Sequence, residues 1–495
     1  MTTIHPFDRY AAFTDMNALL SINELPLRKS LRVNTLKTLV TEVEAWGAER
    51  GWKMSHVPWC REGFFVERSK KPLDSPLRGS LEESALGKDL LHQLGHIYLQ
   101  EAASMLPVEL LDPKPGEEIL DLCAAPGSKT TQIAAKMQNT GVIVANDVQE
   151  KRLWTLHAAL QRSGALNTIL TSKNGEWFGG NMTERFDRVL CDAPCSAQGI
   201  ARKDPGALKL CTDKNITKLK SMQLKLLESA IHAAKVGGRI VYSTCTLTPE
   251  ENEEVVMETV MKFGGTIEVV DIGQLGHLGQ LGLEKWDATR AIEDSQTVQK
   301  ALQPYSPTAL QPYLRLWPQT YDTEGFFCAV LVKKDHTRDV LRQESAPPRK
   351  ELTPSRTKDI AAELTKRYGT SLIRDHECLY ETGQYVTLIN EAASRFILPC
   401  PRYAFGIPFL KLQKDSRIRL TQEIISLRGK EASSGTLELS DEQKETILEG
   451  KDSPCDPSLH GELILRWRKI PLGLGLAKEG VLKNWIPRVI LKQIS

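Results

Sequence analysis

Short apolar runs separated by amphipathic stretches set the rhythm of the middle of the chain. Runs at residues 119–123, 142–147, 168–171, 186–192, 238–244 and 326–332 have strand length. Between them, apolar residues recur at helical spacing at 130–137, 151–162, 216–234 and 249–261. Strand-length runs alternating with helical patterns predict an α/β domain over residues 111–335, a doubly wound, Rossmann-like sheet. Upstream, residues 27–33 mix apolar and polar positions as a half-buried strand does, and an amphipathic run follows at 39–46. An apolar segment from residue 90 leads into a helix ended by Asp112-Pro113 and Pro115. Residues 1–110 therefore read as a small mixed α/β domain. Downstream, residues 336–357 are charged, contain Pro347-Pro348 and Pro354, and hold few apolar residues, the composition of an interdomain linker. A helix is predicted over 358–368, and the rest of the 358–495 domain is strand-rich, with turns at Gly383, Pro399, Pro401, Gly406, Pro408, Gly473 and Gly475. Glycines and leucines recur every third residue over 273–282; the tract is short and proline-free, and reads as a loop.

Length agrees with this division, since 495 residues suggest about three domains. Net charge, +2, excludes a polycation and moves attention to local basic faces. Arg28, Lys29, Arg32 and Lys37 fall near one edge of the N-terminal unit, either as a solvated charged face or as a nucleic-acid contact. In the tail, basic and aromatic residues interleave at Arg402-Tyr403, Arg417, Arg419, Arg466-Trp467-Arg468-Lys469, Lys478, Lys483-Asn484-Trp485 and Arg488. These form an RNA surface or a basic exterior over buried tryptophans. No basic start followed by an apolar run opens the sequence, and no uninterrupted apolar segment of about 18 residues occurs, so a soluble, cytoplasmic protein is expected. The ten cysteines include no C-x-x-C pair and no His cluster at metal spacing. Neither a metal site nor a disulfide framework is expected.

Candidate chemistry begins at the first strand of the sheet. After it come Cys123, Ala124, Ala125, Pro126, Gly127 and Ser128, small residues that let backbone N–H groups approach a ligand at the start of the next helix. The turn has neither the G-x-G-x-x-G of dinucleotide folds nor the G-K-[ST] of a P-loop. Asp147 closes the second apolar run, where a doubly wound sheet places an acid for a ribose hydroxyl. A nucleoside ligand fits both features. The fourth strand ends in Cys191-Asp192-Ala193-Pro194-Cys195-Ser196 and the fifth in Tyr242-Ser243-Thr244-Cys245-Thr246. Ligands of open α/β sheets bind at the carboxyl ends of the strands, so Asp192, Cys195 and Cys245 should converge beside that cleft as nucleophile and proton-transfer groups.

Residues 121–130 (Asp-Leu-Cys-Ala-Ala-Pro-Gly-Ser-Lys-Thr), 192–196 with Arg202-Lys203-Asp204-Pro205, and 242–246 with Pro249-Glu250-Glu251-Asn252 resemble the Nop/Sun family of S-adenosylmethionine-dependent RNA cytosine-5 methyltransferases. Arg32-Val33-Asn34-Thr35, Gln100-Glu101-Ala102 and Arg315-Leu316-Trp317-Pro318 leading to Gly325-Phe326-Phe327 extend the match over roughly residues 25–335. The tail looks like the PUA-type RNA-binding domains of some members, notably the bacterial enzyme acting on small-subunit ribosomal RNA. The resemblance implies S-adenosylmethionine as cofactor, held by residues 123–129, by Asp147 at the ribose and by Asn174 at the adenine, where the family usually has aspartate. It further implies Cys245 as nucleophile, Cys195 as the group for product release, Asp192 bonding the cytosine, and Lys129 nearby. Ala197 stands where glycine is common. The expected partner is RNA, ribosomal before transfer RNA, and the expected state a monomer. The alternatives are a transfer-RNA cytosine-5 methyltransferase and a catalytically silent ribosome assembly factor. An Asp-Pro-Pro-Tyr-like motif for amino-group methylation is absent; this chain has Asp192-Ala193-Pro194-Cys195.

Overall fold

The computed structural model describes residues 6–11, 13–68, 86–272, 313–340, 351–413 and 417–494. The Gly/Leu tract at 273–282 and residues 341–350 of the predicted linker lie outside them. Near the N-terminus, β1 (Lys29–Val33), β2 (Trp52–Val57), β3 (Cys60–Arg68) and β4 (Ile97–Tyr98) form an antiparallel sheet in the order β2-β3-β1-β4.

The central sheet is built from β5 (Glu118–Asp121), β6 (Val142–Asn146), β7 (Thr168–Thr171), β8 (Phe186–Asp192), β9 (Ala234–Thr244), β10 (Ile267–Val269), β11 (Leu314–Leu316) and β12 (Phe326–Lys333). Strands β7, β6, β5, β8 and β9 lie side by side and parallel, whereas β12 runs antiparallel to β9 and is flanked by β10 and β11. Chain order reverses between β5 and β8, so a crevice opens at the carboxyl ends of these two strands. Helices cover both faces, and residues such as Ile119, Leu120, Ile143, Val144, Leu190 and Val241 are fully buried, as strands covered on two sides require.

The tail carries two sheets where one strand-rich domain was expected. β13 (Glu377–Thr382), β14 (Tyr385–Asn390), β16 (Ile407–Leu412) and β17 (Ile418–Leu420) form the first; the two-residue β15 (Ala404–Phe405) leaves it and pairs antiparallel with β7, extending the central sheet. β18 (Thr436–Glu438), β19 (Ser453–Pro454), β20 (Gly461–Trp467), β21 (Ile470–Lys478) and β22 (Val481–Asn484) form the second. This last sheet shares a core with the N-terminal one: Leu31, Val43 and Trp46 pack with Leu463, Leu465 and Trp467, and the Trp46 and Trp467 rings meet edge-on at 5.6 Å.

Two differences from the sequence reading have simple causes. The helix expected at 358–368 spans Pro354–Tyr368, because Thr353 caps it by accepting from the Arg356 N–H and Pro354 takes the first helical position, where its missing N–H costs nothing. Pro354 thus starts a helix and does not mark a linker. Arg32 and Lys37, placed on a charged edge, are buried at 2% exposure each. Arg32 donates to Gln100, to the Ser128 carbonyl (2.9 Å) and to the Thr131 hydroxyl (2.9 Å), clasping the helix that follows the glycine turn. Lys37 donates to the carbonyls of Leu94 (2.8 Å) and Arg162 (2.6 Å) and to the Ser426 hydroxyl (2.8 Å), joining the N-terminal sheet, the central domain and the tail. Both cations are internal struts.

Candidate active site

The glycine turn leaves β5 and enters the helix Ser128–Lys136 through Gly127, whose φ of 110° only glycine adopts without strain. A Cβ there would lie 3.0 Å from Leu156 and 3.2 Å from Ala159, so the turn is pressed against the helix Glu150–Ser163. Asn146, fully buried, fixes the neighbouring loops: its amide donates to the carbonyls of Leu122 (3.1 Å) and Lys173 (2.9 Å), and its oxygen accepts from Thr171 and the Lys173 N–H. Sequence reasoning gave Asn146 no role, although a polar residue closing an apolar run was the available signal.

Two acids border the turn. Asp147 is 3% exposed; one of its oxygens accepts from the Gln149 N–H (2.9 Å), and the other has Arg152 at 3.1 Å as an ion pair but no hydrogen-bond donor among the described residues. Arg152 also donates to the Ala125 carbonyl, bracing the turn. Asp121 is buried beneath the turn, accepts from the Thr130 hydroxyl at 2.7 Å, and has a second oxygen without a described donor. Burial pushes its carboxyl up to about 7. Asn174 is exposed after β7, with its backbone carbonyl accepting from the Trp177 N–H at 2.9 Å. A turn packed closely at Gly127, beside two acids that each have an oxygen lacking a hydrogen-bond donor among the described residues, fits the sugar and cationic parts of S-adenosylmethionine.

At the ends of β8 and β9 the two cysteine sulfurs lie 3.4 Å apart. Asp192 receives hydrogen bonds from Lys129 (2.7 Å) and from the Ser243 hydroxyl (2.8 Å), and Lys129 also donates to Ser104 (3.1 Å). Burial works to lower the Lys129 pKa, but the charge and hydrogen bond of Asp192 outweigh it and the net shift is upward, so the ammonium persists. The hydrogen bond with Cys245, followed by burial, drives the Cys195 thiol well above its ordinary range. Predicted residues Asp192, Lys129, Cys195 and Cys245 thus share one mouth.

A residue assigned no role holds that mouth together. Glu251, fully buried, accepts from the Ser196 N–H (2.9 Å) and hydroxyl, from Gln223 (2.9 Å) and from Thr248 (2.8 Å), tying the loop after β8 to the loop after β9. The Gly199 N–H donates to the Cys245 carbonyl at 3.0 Å, and a Cβ on Gly199 would lie 2.6 Å from that oxygen. Ala197, between them, has φ 62°, which explains why glycine suits this position. Behind β9, Arg315 grips Glu253 through two 2.6 Å hydrogen bonds at about 1–2% exposure. One further group has metal-ligand residue types, Cys60, Glu62 and Glu109, but Lys136 stands 2.8 Å from Glu109 and 3.6 Å from Glu62 and supplies the positive charge.

A family described as 16S rRNA methyltransferase RsmB/F matches residues 108–332, the N-terminal domain of 16S rRNA methyltransferase RsmF matches 9–102, and the methyltransferase RsmF PUA domain matches 434–491. Ribosomal RNA small subunit methyltransferase F of Vibrio cholerae is 34% identical over 484 residues, covering 97% of this chain and 94% of that protein. The chain belongs to the RsmF family. The same-named protein of Psychromonas ingrahamii is 33% identical, covering 96% of this chain and 93% of its own. Among solved structures, a methyltransferase homolog from Pyrococcus horikoshii superposes with a TM-score of 0.52 at 33% identity, over 66% of this chain and 93% of that one. As a member of the RsmF family, the chain is an RNA methyltransferase that uses S-adenosylmethionine. The PUA match covers the last sheet only, so the sheet of β13, β14, β16 and β17 precedes that domain. Among the described residues no helix is long and apolar enough to cross a membrane.

Proposed function

We propose that the chain methylates carbon 5 of a cytosine in small-subunit ribosomal RNA through a covalent bond between Cys245 and carbon 6. The observation that carries this reading is the sulfur pair, 3.4 Å apart on loops locked by Glu251 beside the Lys129–Asp192 pair. S-adenosylmethionine, when bound, supplies the methyl group. Residues 123–129, Asp147 and Asn174 hold it. The Cys245 thiolate adds to carbon 6, and the electrons of the 5,6 double bond pass to the ring, making carbon 5 nucleophilic. Asp192 orients the base's amino edge, and the Lys129 ammonium stabilises the negative charge that develops.

The proton on carbon 5 must then leave before the sulfur–carbon bond can break. At rest Cys195 is a thiol, and the largest cause is its hydrogen bond with Cys245. Once Cys245 is bonded to carbon 6 that hydrogen bond is gone, while burial and the charge of Glu251 still favour the Cys195 thiol. Water positioned by the Cys195 thiol then accepts the carbon-5 proton; the electron pair reforms the ring double bond and Cys245 departs as thiolate. A denaturing gel of each variant with substrate RNA and cofactor tests the division of roles. Cys195→Ala should trap a nuclease-sensitive protein–RNA adduct, and Cys245→Ala should form none and methylate nothing. An adduct with Cys245→Ala alone would reverse the two roles.

A further inference from the structure

We infer that a cavity formed by the helix Glu150–Ser163, the sheet of β13, β14, β16 and β17, and Trp485 is a second RNA site, holding an unpaired base of the single strand next to the target cytosine. Its volume, about 750 Å³, is that of a site for a small organic group. Neither cysteine of the sulfur pair lines it, nor does Asp192. Aromatic faces do. Trp154 is 67% exposed, and Tyr403 meets its ring edge-on at 6.1 Å. On another wall the Arg419 guanidinium lies 3.7 Å over the ring of Trp485, and Lys411 adds a second cation.

A lone exposed tryptophan needs no explanation, but aromatic rings sharing a cavity with two cations do. Bases of any identity stack on such rings, and the cations meet the phosphates between them. The walls are also fixed relative to the chemistry. Arg152, two residues before Trp154, braces the glycine turn through Ala125 and faces Asp147, so one helix serves both the cofactor turn and the cavity. Tyr403 donates its N–H to the Leu170 carbonyl at 2.8 Å, and β15, which follows it, pairs with β7. The inference rests on the RNA reading above, yet it can fail separately.

The test uses the full chain and a short fluorescein-labelled single-stranded RNA of mixed sequence with one cytosine, read by anisotropy. Trp154→Ala should weaken binding about tenfold, and a duplex of the same sequence should lose less than about twofold. If Trp154→Ala melts below the parent, Ala158→Trp is read in its place, since Ala158 lines the cavity and is exposed. Unchanged single-strand affinity, an equal loss for duplex, or a parent that does not bind the single strand overturns the cavity. Normal carbon-5 methylation alongside unchanged affinity would leave the enzyme reading standing. A selective loss in a protein that places no methyl on carbon 5 would do the reverse.

Discussion

The sulfur mouth and the aromatic cavity follow opposite building rules. Around Cys195 and Cys245, polar groups are buried and densely paired, with only the Gln223 oxygen in this network lacking a donor among the described residues: Glu251 alone takes up four donors, and Tyr242, Thr244 and Asn252 close the network beneath it. Around Trp154 the rings and cations face an open space. Covalent chemistry needs its atoms held to within a fraction of an ångström, and a densely paired buried network does that. A site that accepts varied bases needs surface in place of fixed hydrogen bonds.

Breaking the network should have the largest effect. Glu251→Ala leaves four donors unsatisfied and should cost about 3 kcal/mol or more, together with most methyl transfer. Trp154→Ala, by contrast, should stay within about 0.5 kcal/mol of the parent. Denaturant midpoints and methyl incorporation measure both, and equal stability losses in the two would erase the contrast. The seam between the regions comes next. Lys37→Met strips the donor from two carbonyls and the Ser426 hydroxyl and should cost about 2 kcal/mol, with faster proteolysis of the tail.

The buried acid beneath the glycine turn should also leave a pH signature. Burial raises Asp121 to about 7 from an unfolded value near 3.9. Between those values the folded state keeps a proton that the unfolded state has lost, so this group's contribution to stability is complete below the lower value and falls as pH rises through the window. Asp121→Asn should flatten that slope, which is at most about 1.4 kcal/mol per pH unit, in melting temperatures taken from pH 4 to 8. Parallel curves for parent and variant would remove Asp121 as the cause. The smallest effect concerns Ala197→Gly. Relief of the left-handed backbone, roughly 1–2 kcal/mol, is offset in part by glycine's greater freedom when unfolded, roughly 0.4–1 kcal/mol. A net gain of about 0.5 kcal/mol should appear as a small rise in melting temperature; a loss would mean that the methyl group packs favourably.

What the sequence disclosed and what it hid separate along physical lines. Strands buried on two faces write themselves as apolar runs, so the parallel core and the strand-end residues Asp192, Cys195 and Cys245 were legible from pattern and position. The groups that hold those residues were not. Glu251, Arg315 and Asn146 are polar side chains whose partners lie far along the chain, and no local period marks a buried hydrogen bond. Arg32 and Lys37 misled for the same reason: a cation's burial depends on acceptors supplied by other elements. β15 escaped because two residues at a sheet edge carry no readable alternation.

That short strand bears on how the chain is made. β7 closes one side of the parallel core, and its outer hydrogen-bonding edge faces water until residues 404–405 have left the ribosome and folded back onto it. Through most of synthesis the catalytic sheet therefore emerges with a raw edge, the feature that invites pairing with a neighbouring nascent chain. Asn390, which donates to the Asn139 and Gly141 carbonyls, ties the tail to the same domain from a position slightly earlier in the chain. Cutting the chain after the catalytic domain would leave that edge unpaired, so the tail completes the sheet that carries the chemistry.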